Sequence, residues 1–211
     1  MIEGMEEIKR IYFSVQEKIR SRLNEFDRLR EKGSDEDIFA ELVFCLLTPQ
    51  SKAQSCWKTV ETLLNKNLLL KGNEDQISKE LNRVRFRYKK AEYIIEARKL
   101  FSAGIKSKIN EFNDVYNVRD WLVQNVKGMG YKEASHFLRN IGFGEELAIL
   151  DRHILKNLQS LGVIEEIPSS LTKKRYFEIE KKMKKFSEKV KILMSHLDLV
   201  LWHKETGEIF K

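Results

Sequence analysis

The stretch Trp121–Ile154, WLVQNVKGMGYKEASHFLRNIGFGEELAILDRHI, decides the fold. Trp121-Leu122-Val123-Gln124-Asn125-Val126 reads as a helix stopped by Lys127-Gly128-Met129-Gly130. A second helix begins at Tyr131 or Lys132, with Ala134, Phe137, Leu138 and Ile141 spaced along one buried face. Two glycines flanking Met129 let the backbone turn tightly, so successive N–H groups at the start of the second helix can face one phosphate oxygen without reading any base. A Gly-x-Gly between helices also fits an ordinary connection, but here it has company. Lys132 falls in the first turn of the second helix, where the positive helix end and partial burial disfavour an ammonium and favour a nucleophilic neutral amine; a solvated lysine is the plainer alternative. Asp151 stands 19 residues further on, after the apolar run Leu147-Ala148-Ile149-Leu150 and before Arg152-His153-Ile154-Leu155. That is an N-cap position, and a capping carboxylate at the edge of a cleft can also stabilise positive charge developing on a sugar ring.

Helical spacing extends on both sides of this stretch. Ile8, Ile11, Tyr12, Val15, Ile19, Leu23, Phe26 and Leu29 form one face of a helix ending at Gly33. Ser34 or Asp35 then caps a second, apolar helix from Ile38 to Leu47. Pro49 disfavours helical geometry at Thr48, so a break leaves Gln50 and Ser51 at a helix junction before Ala53, Cys56, Trp57, Val60, Leu63 and Leu64 resume the period. Ile77–Leu81 and Val84–Ile95 are again helical in spacing. There Arg85, Arg87, Lys89 and Lys90 interleave with aromatics, as a solvated helix face with Phe86 in the core or as a surface contacting a nucleic-acid backbone. A short helix from Arg152 to Leu161, a turn at Gly162 and a break at Pro168-Ser169-Ser170 precede a last long helix from about Thr172 to His203, with Lys181–Lys185 on its exposed side or at an internal interruption.

The chain has 211 residues, 42% of them hydrophobic and 34% charged, with ten glycines and two prolines: enough apolar content for a core, and a composition suited to an all-α protein. Its 39 Lys+Arg against 32 Asp+Glu give a formal charge of +7, which favours polyanionic partners. Cys45 and Cys56 are too few for a four-cysteine cluster and read as core fillers on separate helices, while the four histidines lack a compact ligand spacing. No basic-then-apolar leader opens the sequence and no apolar run reaches the ~18 residues of a membrane span. A cytoplasmic protein is expected.

Gly128-Met129-Gly130-Tyr131-Lys132 followed by Asp151 resembles the helix-hairpin-helix and Gly/Pro-Asp region of the base-excision DNA glycosylases that include endonuclease III. In that superfamily a lysine at this hairpin position marks bifunctional glycosylase/lyases, and the aspartate is the catalytic carboxylate. Leu46-Leu47-Thr48-Pro49-Gln50-Ser51 resembles the superfamily's Leu-Leu-Ser-x-Gln segment, whose glutamine enters the gap left by a flipped nucleotide. The cluster-binding cysteines of endonuclease III are missing after Asp151. Instead Ser195–Lys211, together with Arg85-Phe86-Arg87 and Lys90-Ala91-Glu92-Tyr93-Ile94, is similar to the second, largely archaeal family of 8-oxoguanine DNA glycosylases. There the carboxylate of the C-terminal lysine helps recognise the oxidised base and a tryptophan nine positions earlier stacks on it, which corresponds to Lys211 and Trp202.

The resemblance implies a two-domain all-α helix-hairpin-helix glycosylase with an interdomain active-site cleft. Residues 36–147 would form the hairpin-containing domain, residues 148–211 a C-terminal domain completing the base pocket, and residues 1–35 a helix packing with the latter. It assigns Lys132 and Asp151 to catalysis, Trp202 and Lys211 to base recognition, and Gln50 with the hairpin residues Gly128, Met129 and Gly130 to DNA binding. Phe86 is a further candidate for the opposite wall of the base pocket, and His136, one turn beyond Lys132 on the same helix face, is placed to border it, a surface or packed histidine being the alternative. The resemblance also implies a monomer acting on double-stranded DNA that contains 8-oxoguanine, with no cofactor, no metal and no membrane. The alternatives are an endonuclease III-like enzyme for oxidised pyrimidines and a non-catalytic helix-hairpin-helix DNA-binding module.

Overall fold

The computed structural model describes residues 2–211, and among them there are twelve α-helices, one short 3-10 turn and no strand. The helices are α1 (Ile2–Lys32), α2 (Asp35–Leu47), α3 (Ala53–Asn65), α4 (Leu68–Lys71), α5 (Glu74–Glu80), α6 (Arg87–Leu100), α7 (Ile105–Asn110), α8 (Val115–Asn125), α9 (Tyr131–Asn140), α10 (Arg152–Ser160), α11 (Lys173–Val190) and α12 (Met194–Thr206).

Local sequence accounts for most of the boundaries. Ser34 caps α2 through its side chain to the Asp37 amide, and the Asp37 carboxylate accepts the Ser34 amide in return. Asn73 and Gln76 do the same for α5, and Asp114 caps α8. Pro49 does end α2, but Thr48 keeps right-handed helical dihedrals (φ −65°, ψ −32°) and its amide still bonds Phe44 O; the chain turns two residues later, at Gln50, whose φ is +56°.

Two other expectations change. Val84–Phe86 is not helical: α5 runs into the 3-10 turn Leu81–Arg83, and Phe86 sits ahead of α6 with φ +59°, its ring 57% exposed rather than in the core. The last long helix is two helices, broken at Lys191 (φ +59°) and not within the lysine run 181–185. The short helices α4 and α7 fall in segments to which the sequence pattern assigns no element.

The buried apolar side chains fall into two clusters. One gathers α2, α3, α5, α6, α8 and α9, from Ile38 to Leu147. The other joins Ile8, Val15 and Ile19 of α1 to Ala148, Leu150 and the faces of α10, α11 and α12. α1 lies along α12, tied by Tyr12 to His196 (3.2 Å) and by Glu7 to Lys204 (2.8 Å), while its far end reaches the first cluster through Leu29.

A buried polar network fastens the two clusters together. Arg119 of α8, with no exposed surface, makes a two-pronged ion pair with Glu180 of α11 (2.6 and 2.9 Å) and also donates to Ser135 of α9. Glu180 accepts the Ala148 amide, and the Tyr176 hydroxyl donates to Ala148 O (2.5 Å). These bonds hold the run 147–150, which leads directly into Asp151, against the hairpin helices α8 and α9.

Candidate active site

The hairpin Val126–Gly130 joins α8 to α9. Gly128 adopts φ +83°, and a β-carbon there would overlap the Tyr93 ring, so both backbone freedom and close approach require glycine. Met129 is buried, and its amide closes the turn on Val126 O (3.2 Å). Lys127 anchors the turn from outside through Glu92 and Glu96 of α6 (2.7 and 2.9 Å). The Gly130 amide donates to Glu133 (3.2 Å), so the helix-start amides left for an anion begin with those of Tyr131 and Lys132, just beyond the glycines.

A cleft of about 1040 Å³ opens between the two apolar clusters, lined by residues of both. Lys132 reaches it from α9. Its Nζ donates to Thr48 Oγ1 (3.3 Å) and lies 3.8 Å from Glu133, with 21% of the side chain exposed. Asp151 lines the same cleft and caps α10, its Oδ1 accepting the Ile154 amide at 2.8 Å. The cap fixes the carboxylate at the cleft edge while using one of its two oxygens.

His136 follows Lys132 by one turn of α9 and is 6% exposed. Its ring packs edge-on against Phe44 (5.4 Å between centroids), the Lys211 backbone approaches it, and neither ring nitrogen has a formed hydrogen bond. Burial, reinforced by the charges of Lys132 and Arg139, holds the imidazole well below the usual histidine range. The neutral ring therefore offers one donor and one acceptor to whatever enters. Trp202 lines the opposite side from α12, edge-on to His153 (5.3 Å), with its buried indole N–H also unpartnered. Lys211 closes this end of the cleft.

Gln50 stands exposed at the cleft mouth. Its loop is held from beneath by Lys90, whose Nζ donates to Leu47 O (2.7 Å), Pro49 O (2.8 Å) and Ser51 Oγ (3.3 Å); burial pulls this ammonium down to about 8. Ser51 Oγ also accepts the Arg85 amide (3.1 Å), linking the Gln50 loop to the one carrying Phe86. Arg85 lines the cleft, but Phe86 does not: it lies outside, beneath the Arg85 guanidinium (5.5 Å). The cleft thus brings together Lys132, Asp151, His136, Trp202, Lys211 and Gln50, leaves Phe86 on the adjoining surface, and has the hairpin glycines just behind Lys132.

Sequence reasoning missed Thr48 and the buried pair Arg139–Asp198 (2.6 Å) at the back of the cleft, where burial raises the Asp198 carboxyl to about 6 against the pull of Arg139. Arg139 had a signal: 132, 136 and 139 share one face of α9 at i, i+4 and i+7. Asp198 had none. Both cysteines are buried, burial raising the Cys56 thiol to about 11, as suits core side chains. Among the described residues no group of three or more His, Cys, Asp and Glu could hold a metal, and no helix is long and apolar enough to cross a membrane.

An all-α chain that presents a Gly-x-Gly hairpin, the lysine that follows it and a capping aspartate to one cleft falls in the helix-hairpin-helix class of DNA glycosylase folds. Comparison with known proteins narrows the class: the family described as 8-oxoguanine DNA glycosylase matches residues 19–192, and the chain belongs to that family. A relative from Fusobacterium nucleatum named 8-oxoguanine DNA glycosylase/AP lyase is 48% identical, over 99% of this chain and 98% of its own length. One of the same name from Methanocaldococcus jannaschii is 38% identical, over 100% and 99%. The crystal structure of the Thermotoga maritima 8-oxoguanine DNA glycosylase superposes with a TM-score of 0.91 at 36% identity, over the whole of both chains. That of the M. jannaschii glycosylase/lyase in complex with a 15mer DNA containing 8-oxoguanine gives 0.92 at 34%, again over the whole of both.

Proposed function

We propose that this chain is a bifunctional DNA repair enzyme that excises 8-oxoguanine from duplex DNA as a monomer and then cuts the strand at the resulting abasic site. The observation that carries this reading is the convergence of Lys132, Asp151, Trp202 and the Lys211 terminus on one cleft in a chain of this family. Residues 36–147 and 148–211, the latter with the N-terminal helix, act as two domains with the substrate nucleotide between them. The amides of Tyr131 and Lys132 and the basic surface hold the backbone, the damaged nucleotide rotates into the cleft, and Gln50 fills the space it vacates.

Lys132 Nζ, as the neutral amine, then attacks C1′ of the deoxyribose. The C1′–N9 bond breaks, its electron pair leaves with the base, and the base takes up a proton. Asp151 stabilises the positive charge that develops at C1′ and the ring oxygen, and accepts and returns the proton carried by the lysine nitrogen. Opening of the sugar gives a Schiff base between Lys132 and C1′. Loss of a proton from C2′ then expels the 3′ phosphate by β-elimination.

Selection of the base falls to the far end of the chain. 8-Oxoguanine carries a hydrogen on N7 where guanine has a lone pair, so the Lys211 carboxylate accepts a hydrogen bond from the lesion and repels guanine. Trp202 supplies a stacking face and the neutral His136 a further polar contact. A lesion panel tests this reading: 8-oxoguanine should be excised well ahead of guanine and of oxidised pyrimidines, and one residue added after Lys211 should abolish the preference. Preferential release of oxidised pyrimidines would favour the endonuclease III-like alternative, and release of no base would favour a binding module.

A further inference from the structure

Glu41 is the one acidic residue in the apolar run Ile38–Leu47, and only 3% of it is exposed. A carboxylate in such a place is costly unless it is paired and fully hydrogen-bonded. Both of its oxygens are engaged. Oε1 is paired with the Nζ of Lys211, 170 residues away, and Oε2 accepts the Asn140 side-chain amide at 3.0 Å. The same Nζ lies 3.1 Å from the centre of the Trp57 ring, a cation–π contact at short range. The side chain of the last residue is thus 13% exposed, where a terminal lysine would ordinarily fray into solvent.

The chain leading to it is guided the same way. α12 ends at Gly207 (φ +75°), and the tail crosses from the second apolar cluster to the first. Glu208 takes a hydrogen bond from Gln54 of α3 (2.6 Å), and Phe210 packs edge-on to Phe44 of α2 (6.3 Å). Beyond Glu41 the polar chain continues from Asn140 to Arg139 (3.1 Å) and from Arg139 to Asp198 (2.6 Å), along the face of α9 that carries Lys132 and His136. The far end of this tail is therefore referenced to the same helix as the nucleophile.

We propose that Glu41 and Trp57 form a seat for the Lys211 side chain, and that this seat positions the terminal carboxylate for base recognition; Glu41 is a positioning residue, and the lysine ammonium is its counter-ion rather than a contact to the base. The proposal rests on the reading that the Lys211 carboxylate recognises the lesion. Its physical basis is twofold. A carboxylate that must discriminate one hydrogen at N7 has to be held to within about 0.5 Å, and the contacts of Glu208 and Phe210 stop short of the residue that carries it. Without the ammonium, the buried Glu41 carboxylate would also stand unneutralised near the terminal one and repel it.

The test uses the full-length enzyme with Glu41→Gln, Lys211→Met and the double variant, on duplexes carrying either 8-oxoguanine or a preformed abasic site. Lys211→Met keeps a terminal carboxylate and an unbranched stem but loses the ammonium. Each single variant should lose on the order of 10- to 100-fold in kcat/KM for 8-oxoguanine excision, the scale of one charge-assisted hydrogen bond, and the double variant should be no worse than the worse single. Glu41→Gln should still cleave the abasic duplex at close to the wild-type rate, since no base has to be read there. Excision left intact in either single variant, additive losses in the double, or an equal loss on both duplexes for Glu41→Gln would each overturn the seat. If Glu41→Gln fails to fold, Lys211→Met alone decides, because its substitution lies at the last residue. Extending the chain by one glycine separates the two layers of the argument: unaffected excision in that variant sinks the carboxylate reading itself, whereas lost excision there with intact excision in Lys211→Met sinks only the seat.

Discussion

Replacing Glu180 by glutamine is expected to destabilise the protein more than any single change outside its apolar core, and to slow the chemistry as well. Arg119 has no exposed surface, and its guanidinium is held by both Glu180 oxygens at 2.6 and 2.9 Å. Burial opposes the Arg119 charge, and the hydrogen bonds and charge of Glu180 more than offset it. A guanidinium does not give up its proton in the neutral range, so in the variant the cation stays buried without its charged partner. An uncompensated buried charge of this kind costs about 3–5 kcal/mol. For a chain of this length that corresponds to a fall in Tm of roughly 6–20 °C. Urea melts followed by circular dichroism should show a lower midpoint with an unchanged slope. The Arg119→Met/Glu180→Met double variant should recover most of the loss, because an apolar pair needs no charge compensation. Because Glu180 also takes the Ala148 amide, three residues before Asp151, the single variant should cleave abasic DNA more slowly even below its melting range. A loss under about 1 kcal/mol, or a double variant no more stable than the single, would refute the reasoning.

Gly128→Ala must adopt φ +83° and push its methyl into the Tyr93 ring, so it should cost about 2 kcal/mol and weaken binding to undamaged duplex, read by fluorescence anisotropy. Asp151→Asn keeps an equally good N-cap, so Tm should hold while base excision falls by about 100-fold or more; wild-type excision in this variant would reduce Asp151 to a cap. Lys90 has a folded-state value of about 8 against 10.5 free, so between those values the unfolded chain holds the extra proton. Its contribution to stability is therefore present above pH 10.5 and lost as pH falls through 8. Wild type should gain on the order of 3 kcal/mol over Lys90→Met between pH 7.5 and 10.5 in paired urea melts, and a constant difference would contradict the shift.

What the sequence made legible was local. The hairpin follows from two glycines beside an apolar face of period 3.6, and the starts of α2 and α10 from Ser34 and Asp151, each of which caps the helix it precedes. Positions that depend on distant partners left no mark. Gln50 and Phe86 take left-handed backbone without being glycine, in loops joined by Ser51 and the buried Lys90, and the period-based reading accordingly carried a helix through Phe86. The break at Lys191 has no glycine or proline to announce it. Arg119–Glu180, Arg139–Asp198 and Glu41–Lys211 pair across 61, 59 and 170 residues, and each partner read singly looks like one more surface charge. Family likeness was needed to single out Trp202 and Lys211, since an aromatic on a terminal helix and a lysine at a chain end have no local chemistry to distinguish them.

The central claim is that Lys132 is the nucleophile. Borohydride reduces a Schiff base to a stable amine, so incubating the protein with borohydride and an 8-oxoguanine duplex should give a covalent protein–DNA band on a denaturing gel, with the adduct mapping to Lys132. Lys132→Gln, folded by circular dichroism, should give none. A band of equal strength in Lys132→Gln, or no band from the wild-type protein, would contradict the account.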